Sequence, residues 1–354
     1  ISLFDDNKKI QIKKISNHII TSPNKIQKSK FDIIILSPGI DANRCKLKKF
    51  LKKNLKTIYT DLDVFHSFYR NQCITITGTN GKSTTCQLLY EVMKKQGFDV
   101  KLAGNIGYPI LSIKNIKPRS IFVIEASSYQ LDYSKLFNSK YAAITNISAD
   151  HLERHKTLKN YISAKFKIIK NQKKNSIAFI NKHDVYISKK IKKNYYKSKI
   201  VKVNTRLSDK LLSVYKNNYF LSSSNRENLS FVLEISKKFK IKKKILIDTI
   251  KKFKGLKYRQ QIIFDNKNIS IINDSKSTSY SSSLEMLKKS NNVYWLLGGI
   301  PKKGDKLNLP KVYYKNIKGF IFGKNSKKFS LDLKKKIKFK KFYNLKEALN
   351  GVFK

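Results

Sequence analysis

Apolar runs, each followed by glycine or polar residues, recur along this chain and predict buried strands that end in loops. The first, "FDIIILSPGID" at 31–41, predicts a buried strand with a Pro-Gly turn at its end. Four similar runs are "CITIT" (73–77), "IFVIEAS" (121–127), "YAAITNIS" (141–148) and "NSIAFIN" (175–181). Helical stretches separate these runs, so the pattern predicts an α/β fold whose sheet is mostly parallel.

The composition changes near Gly255, and the same strand-then-loop pattern starts again beyond that residue. Its runs are "ISIINDS" (269–275), "VYWLLGG" (293–299) and "GFIFG" (319–323). A length of 354 residues is enough for two or three domains. We therefore expect a further α/β domain in the last hundred residues.

The loop after "CITIT" has the composition of a phosphate-binding loop. It reads G-T-N-G-K-S-T, with Gly78 and Gly81 before Lys82, and a helical pattern follows as far as Gly97. Glycines let the backbone approach an anion at a helix N-terminus, Lys82 would neutralise phosphate charge, and Ser83 could bind Mg²⁺. The common form of this loop has a glycine at the position of Ile76, so the spacing here is shorter.

Polar side chains also follow the other predicted strands. Glu125 ends one strand and is a candidate Mg²⁺ ligand, and His151 follows the next strand in a change from loop to helix. His155 lies four residues later, but a zinc site would need a third ligand and a base, which this segment lacks. Lys165, in an amphipathic helix, is by its pattern one lysine among many.

Two further loops at strand ends are candidate anion sites, because open α/β sheets bind ligands at the carboxyl ends of their strands. One is "NDSKST" with Asp274, Lys276 and Thr278, and the other contains Lys302 and Lys303.

The net charge of +53 raises the possibility of a nucleic-acid-binding protein. The basic residues are nearly all lysines and are spread along the chain, whereas base recognition favours clustered arginines. We interpret the charge as a compositional bias and expect no nucleic-acid partner. No run approaches the length of a membrane span, and the three cysteines form no metal-type pair, so we expect a cytoplasmic protein.

Taken in order, these motifs resemble those of the Mur ligases, ATP-dependent enzymes that form amide bonds. The shorter glycine spacing is the form of the phosphate loop in that family. Other matching segments are "GNIG" (104–107), "EASSYQLD" (125–132), "TNISADHLERH" (145–155), "SAKFKI" (163–168), "GLKYRQQ" (255–261) and "NDSKST" (273–278). The Ser-Ser-aromatic-Gln-Leu run is typical of the branch that adds D-glutamate. Tyr258 stands where a histidine is common in the family.

The resemblance implies a three-domain architecture. It comprises a partial Rossmann-like substrate domain at 1–62, a central P-loop ATPase-like domain at 63–255 and an incomplete Rossmann-like amino-acid domain at 256–354. It also implies that "FDDN" and "SPGI" lie around the UDP group, and that a uridine-binding turn and a C-terminal segment lie outside this sequence. We therefore expect a fragment of a longer chain.

The resemblance further implies the roles of individual residues. Lys165 would react with CO₂ to give a carbamate; Ser83 and Glu125 would hold one Mg²⁺, and His151 and Lys165 a second. Lys82, His151 and Lys165 would be catalytic. The residues implied to bind ATP are Gly78, Thr79, Asn80, Gly81, Lys82, Ser83, Thr84, Asn225, Asn228, Arg259 and Asp274. Those implied to contact the other substrates are Asn105, Ser127, Gln130, Lys276, Thr278 and Lys302.

The implied reaction joins D-glutamate to UDP-N-acetylmuramoyl-L-alanine through an acyl phosphate, and we expect a monomer to carry it out. Two alternatives stay open: a sibling or folylpolyglutamate-type ligase with another acceptor, and the basic nucleic-acid-binding protein.

Overall fold

The computed structural model describes residues 2–4, 19–20, 22–288, 291–301 and 305–353. The chain forms two compact units, Ile1–Thr205 with Ser230–Ile245 and Arg206–Leu229 with Leu246–Lys354. The boundaries expected at 62/63 and 255/256 stay a prediction.

The first unit begins with short elements: β1 (Ser2–Leu3), β2 (Ile19–Ile20), α1 (Pro23–Lys28), β3 (Ile34–Ile35), α2 (Lys48–Lys53) and β4 (Ile58–Tyr59). An apolar cluster that includes Leu36, Phe50 and Ile58 holds α1, β3, α2 and β4 together.

The prediction of a buried strand at 31–41 was wrong in both the length and the burial of the strand. Only Ile34 and Ile35 are extended, and Ile33 is 63% exposed. The physical reason is that, among the described residues, β3 and β4 form a sheet of two strands. The apolar cluster covers one face of this small sheet, so the side chains on the other face stay exposed.

A six-stranded parallel sheet forms the centre of the first unit, in the order β10-β9-β8-β5-β7-β6. Its elements and those around it are α3 (Asp61–Phe68), β5 (Cys73–Thr77), α4 (Lys82–Lys95), β6 (Val100–Gly104), β7 (Ile121–Glu125), α5 (Ser128–Tyr133), β8 (Tyr141–Ile144), α6 (Leu152–His155), α7 (Leu158–Lys170), β9 (Ile177–Asn181), α8 (Val185–Lys192) and β10 (Lys199–Val203). The predicted parallel sheet is confirmed.

The strand order explains where a ligand can bind. β5 lies between β7 and β8, while β6, which follows β5 in the sequence, lies at the edge of the sheet. The chain therefore leaves β5 towards one side and later crosses to the other, which opens a crevice at the carboxyl ends of the strands. The loop after β5, the end of β7 and the loop after β8 meet there.

The second unit contains an antiparallel hairpin, a parallel three-stranded sheet in the order β13-β14-β15, and helices. Its elements are α9 (Asp209–Val214), β11 (Gln261–Asp265), β12 (Ser270–Asn273), α12 (Tyr280–Leu287), β13 (Val293–Gly298), β14 (Ile317–Phe322), α13 (Ser326–Leu333), β15 (Lys338–Phe342) and α14 (Leu345–Val352). Two helices, α10 (Ser223–Lys238) and α11 (Lys243–Lys252), contain residues of both units.

Among the described residues, no helix combines the length and the apolar character that crossing a membrane would need. None of Cys45, Cys73 and Cys86 forms a disulfide bond.

Candidate active site

Residues 78–81 join β5 to α4 and, together with the first turn of that helix, make up the segment predicted to be a phosphate loop. Gly81 precedes α4 with φ of 80°, a left-handed conformation that glycine adopts without a Cβ penalty. Gly78 is packed so closely that a Cβ atom built on it would lie 2.0 Å from Oγ1 of Thr145. The fold of this loop therefore requires glycine at both positions.

The segment after β8 holds this loop in place. The N–H of Asn80 donates to Oδ1 of Asn146 at 2.8 Å, and the hydroxyl of Thr145 donates to the carbonyl oxygen of Asn80 at 2.9 Å. The N–H of Thr79 donates to the Asn146 carbonyl oxygen at 2.8 Å, and Oγ1 of Thr79 lies 3.1 Å from the Tyr161 hydroxyl. These bonds fix the loop backbone, as a preformed anion site requires.

Two lysines approach the loop from different helices. Nζ of Lys82 donates to the carbonyl oxygens of Gly78 and Thr79, at 3.0 and 2.9 Å. Nζ of Lys165, on α7, donates to the same Gly78 oxygen at 2.7 Å and lies 4.7 Å from the centre of the Tyr161 ring. Lys165 is 2% exposed. Burial first, and then the nearby Lys82 charge, hold the pKa of the Lys165 amine well below its usual range.

Glu125 ends β7 with a buried carboxylate that is 1% exposed. Its Oε1 accepts from Nδ2 of Asn105 at 3.0 Å, while its Oε2 is buried and has no hydrogen-bond partner among the described residues. A buried carboxylate oxygen without a donor fits a bound cation, because a cation would offset its desolvation. Ser83 and Thr84 are buried in the first turn of α4.

The described part of the chain contains no group of three or more His, Cys, Asp or Glu side chains arranged to hold a metal ion. The hydroxyl of Ser83 is a further oxygen donor in this region.

His151 precedes α6 and has φ of 54°, which is uncommon outside glycine. Its Nδ1 lies 2.7 Å from the Tyr129 hydroxyl and 3.4 Å from Oε1 of Glu153, and its Nε2 lies 3.4 Å from Oδ2 of Asp150. The imidazole is therefore held from both ring nitrogens.

Comparison with known proteins decides what these loops belong to. Residues 76–246 match the Mur ligase middle domain. The chain is 32% identical over 376 residues to the UDP-N-acetylmuramoylalanine–D-glutamate ligase of Rickettsia felis, covering 100% of this chain and 83% of that protein. The chain belongs to the Mur ligase family.

A second relative of this Mur ligase is the protein of the same name from Buchnera aphidicola subsp. Schizaphis graminum. It is 35% identical over 373 residues, covering 98% of this chain and 82% of the relative.

Solved Mur ligase structures share the fold. MurF from Thermotoga maritima in complex with ADP has a TM-score of 0.60 at 13% identity, covering 94% of this chain and 90% of that one. The UDP-N-acetylmuramate-alanine ligase MurC from the same organism has a TM-score of 0.58 at 16% identity, covering 94% and 81%. The α/β architecture inferred from the sequence is thereby confirmed. Mur ligases are ATP-dependent enzymes that form amide bonds.

Three residues expected to contact substrate in this Mur ligase lie near Glu125. Asn105 is exposed and bonds to the Glu125 carboxylate. Ser127 and Gln130 cap α5 reciprocally: the hydroxyl of Ser127 accepts from the Gln130 N–H, and Oε1 of Gln130 accepts from the Ser127 N–H. Nε2 of Gln130 also donates to Oδ2 of Asp61 at 2.8 Å. Each of these side chains is thus tied to a neighbour that fixes its position.

The remaining ATP-binding candidates lie in the second unit. Asn225 and Asn228 are both buried on α10, and Nδ2 of Asn225 donates to the Tyr219 carbonyl oxygen at 2.8 Å and to Oε1 of Gln260 at 3.1 Å. Oδ1 of Asp274 accepts from the N–H of Gln260 at 3.0 Å.

The surroundings of Asp274 set its ionisation. Burial raises its pKa, while hydrogen bonds from the Ser277 hydroxyl and the Gln260 N–H, and the charge of the exposed Arg259, oppose that rise. Lys276 and Thr278, on the same loop, are exposed. Lys302 and Lys303 lie outside the described residues.

Sequence reasoning missed three residues that organise these loops: Tyr129, Tyr161 and Gln260. Tyr161 lies four residues before Lys165, a spacing that places both on one face of a helix and could have been read from the sequence. Gln260 has φ of 48°, and nothing in the neighbouring sequence predicts that conformation.

Proposed function

We propose that this chain is an ATP-dependent ligase that adds D-glutamate to UDP-N-acetylmuramoyl-L-alanine. The names of the Rickettsia felis and Buchnera relatives, which match 98–100% of this chain, support that choice of substrates. The observation that carries the proposal is the buried Lys165 amine, bonded to the carbonyl oxygen of Gly78 in the phosphate loop. A buried amine at a phosphate site is well placed to act on an anionic reactant or to carry a modification.

The modification proposed for Lys165 is a carbamate. The neutral amine nitrogen attacks the carbon of CO₂, a C–N bond forms, and one proton is released. Burial and Lys82 favour the neutral amine, which is the form that reacts. The carbamate would carry two anionic oxygens of the kind that Mg²⁺ prefers.

Four side chains would hold two Mg²⁺ ions: Ser83 and Glu125 the first, His151 and carbamylated Lys165 the second. The buried Oε2 of Glu125, which has no hydrogen-bond partner among the described residues, supports this assignment. Bound Mg²⁺ would neutralise phosphate charge.

The reaction would run in two steps. The terminal carboxylate of the UDP-linked substrate attacks the γ-phosphorus of ATP and gives an acyl phosphate and ADP. The amine of D-glutamate then attacks the acyl carbon, an amide forms, and inorganic phosphate leaves. Lys82 would lower the negative charge at the phosphates, while Tyr129 holds His151 in place, so the protein contributes positioning and charge rather than a nucleophile.

The other roles follow the family. Gly78, Thr79, Asn80, Gly81 and Thr84 would surround the ATP phosphates. The residues of the later part of the chain that are also proposed to bind ATP are Asn225, Asn228, Arg259 and Asp274. Substrate contacts would come from Asn105, Ser127, Gln130, Lys276, Thr278 and Lys302. We further propose that the enzyme is a cytoplasmic monomer with domains at 1–62, 63–255 and 256–354.

Phosphate release tests the proposal. The protein is offered ATP, Mg²⁺ and UDP-N-acetylmuramoyl-L-alanine with each of D-glutamate, L-glutamate, glycine, L-alanine and L-lysine. Release is expected with D-glutamate alone, and mass spectrometry should find the amide product. Release with another amino acid instead would assign the chain to a sibling reaction and contradict the proposal.

A further inference from the structure

Arg154, on α6, is a buried cation. The residue is 9% exposed, and its Nη2 is buried with no hydrogen-bond partner among the described residues. The nearest group of opposite character is the face of the Tyr129 ring, whose centre lies 4.4 Å from the guanidinium carbon. A ring face offsets only part of the cost of burying a charge, and none of the ion pairs of the described residues gives this guanidinium an anion.

The carboxylates around α6 contact other groups. Asp150 and Glu153 both lie 3.4 Å from ring nitrogens of His151, and Asp132 lies 4.0 Å from Nδ1 of His155. Within the described ranges, none of them comes within 4.0 Å of the Arg154 guanidinium. The missing anion is therefore not supplied by this part of the protein.

The backbone on both sides of α6 is held in an unfavourable conformation. His151 has φ of 54° and Lys156 has φ of 69°, and neither is glycine. Left-handed residues of this kind are energetically unfavourable and persist where the surrounding structure imposes them. Hydrogen bonds to the backbone impose this turn: Nδ2 of Asn160 donates to the His155 carbonyl oxygen at 2.9 Å, and Nη2 of Arg44 donates to that of Glu153 at 3.2 Å.

We propose that Arg154 binds an oxyanion of the UDP-linked substrate, and this inference rests on the proposed function. A guanidinium presents paired N–H donors that match the oxygens of a phosphate or a carboxylate. The position fits that role, because the Tyr129 ring beneath Arg154 also carries the hydroxyl that contacts His151. The substrate has two suitable groups, the diphosphate of UDP and the carboxylate of L-alanine.

Arg154→Met tests this role, with Arg119→Met as the matched control, because Arg119 is exposed and its loss changes the net charge equally. Isothermal titration calorimetry measures the binding of UDP-N-acetylmuramoyl-L-alanine, UDP and ADP to the full chain. For Arg154→Met, the Kd for the UDP-linked substrate should rise about 30-fold, as expected for a lost charge-assisted contact, and the Kd for ADP should stay within about 2-fold. Arg154→Lys should recover part of the affinity.

The UDP titration identifies the anion. If Arg154→Met binds UDP more weakly than the wild type does, Arg154 binds the diphosphate. If its affinity for UDP is unchanged but its affinity for the complete substrate is weaker, Arg154 binds the carboxylate. The melting temperature of the ligand-free Arg154→Met protein should not fall, because an unpaired buried charge has been replaced by an apolar side chain of similar length.

Two results with the Arg154→Met protein would overturn the inference. One is that Arg154→Met binds every ligand as the wild type does, while the wild type still forms product. The proposed function would then stand, and the role of Arg154 would be wrong. The other is a joint loss of melting temperature and ADP affinity, which would make Arg154 a structural residue. A wild-type protein that neither binds nor converts the UDP-linked substrate would remove the proposed function and this inference together.

Discussion

The amines of Lys82 and Lys165 share one acceptor, the carbonyl oxygen of Gly78, at 3.0 and 2.7 Å. The two residues are far apart in the sequence and come from different helices, α4 and α7. Burial, and then the nearby Lys82 charge, lower the pKa of the Lys165 amine, so the buried lysine gives up its proton more easily. The loop thus brings together, from two helices, the lysine proposed to lie beside the ATP phosphates and the lysine proposed to react as a neutral amine.

Lys165→Met should reduce ligation by about 100-fold or more, because the variant removes a group proposed to hold Mg²⁺ while filling a similar volume. The measurement is phosphate release with D-glutamate as acceptor. Added formate or acetate should restore part of the rate by supplying a carboxylate. Lys159→Met, at an exposed position of the same helix, should keep full activity. An active Lys165→Met enzyme would show that the carbamate is unnecessary.

Gly78→Ala should weaken ADP binding at least about 10-fold, because its Cβ would lie 2.0 Å from Oγ1 of Thr145 and push the loop away from its anchoring segment. The Kd for ADP measures this effect. Adding Thr145→Ala should recover part of the affinity, since it removes the clashing oxygen.

The control for that variant is Gly97→Ala. Gly97 has φ of 96° and nothing within 4 Å of a built Cβ, so this change strains the backbone by about 1 kcal/mol without touching the loop. Equal losses of ADP affinity in both variants would contradict the steric explanation.

Gln260→Met should lower the free energy of unfolding by about 1 to 3 kcal/mol, because the Asn225 amide, which is buried, would lose the acceptor at 3.1 Å. Urea titration measures the change. In an Asn225→Ala background the same substitution should cost much less, since the donor is already gone. Additive losses in the double variant would mean that the bond between these two side chains contributes nothing.

Protonation of His66 should make the folded protein less stable in mild acid. Its Nδ1 is buried without a hydrogen-bond partner among the described residues, and burial, followed by the charges of Arg70 and Lys173, lowers its pKa below 6.5. The unfolded chain therefore binds a proton more readily than the folded chain. Stability from this group is present above pH 6.5 and is lost as the pH falls through the lower folded-state pKa.

The difference between the melting temperatures at pH 7.5 and 5.5 checks this expectation, and it should be smaller for His66→Gln than for the wild type. His183→Gln, at an exposed position, is the matched control. An acid sensitivity that is the same in His66→Gln and the wild type would rule out His66 as its source.

Prediction of strands succeeded where both faces of the strand are buried. β5 and β7 consist entirely of buried residues, so their apolar runs are continuous and stand out in the sequence. In the six-stranded and three-stranded sheets, the strands without a prediction were edge strands: β6, β10 and β15. β15 reads "KFKKF" and β10 reads "KIVKV", because lysines face solvent at a sheet edge and break the apolar run.

The sequence alone determined the parallel α/β fold, the glycine loop after β5 and the order of the polar strand ends, since all of these depend on local spacing and on which residues are apolar. Tertiary structure decided which polar residues act together. Lys165 contacts Gly78 across 87 positions of sequence, and Asn80 contacts Asn146 across 66. The local pattern of apolar and polar residues does not predict such contacts. The burial that lowers the pKa of Lys165 exists only when α7 is packed against the loop after β5.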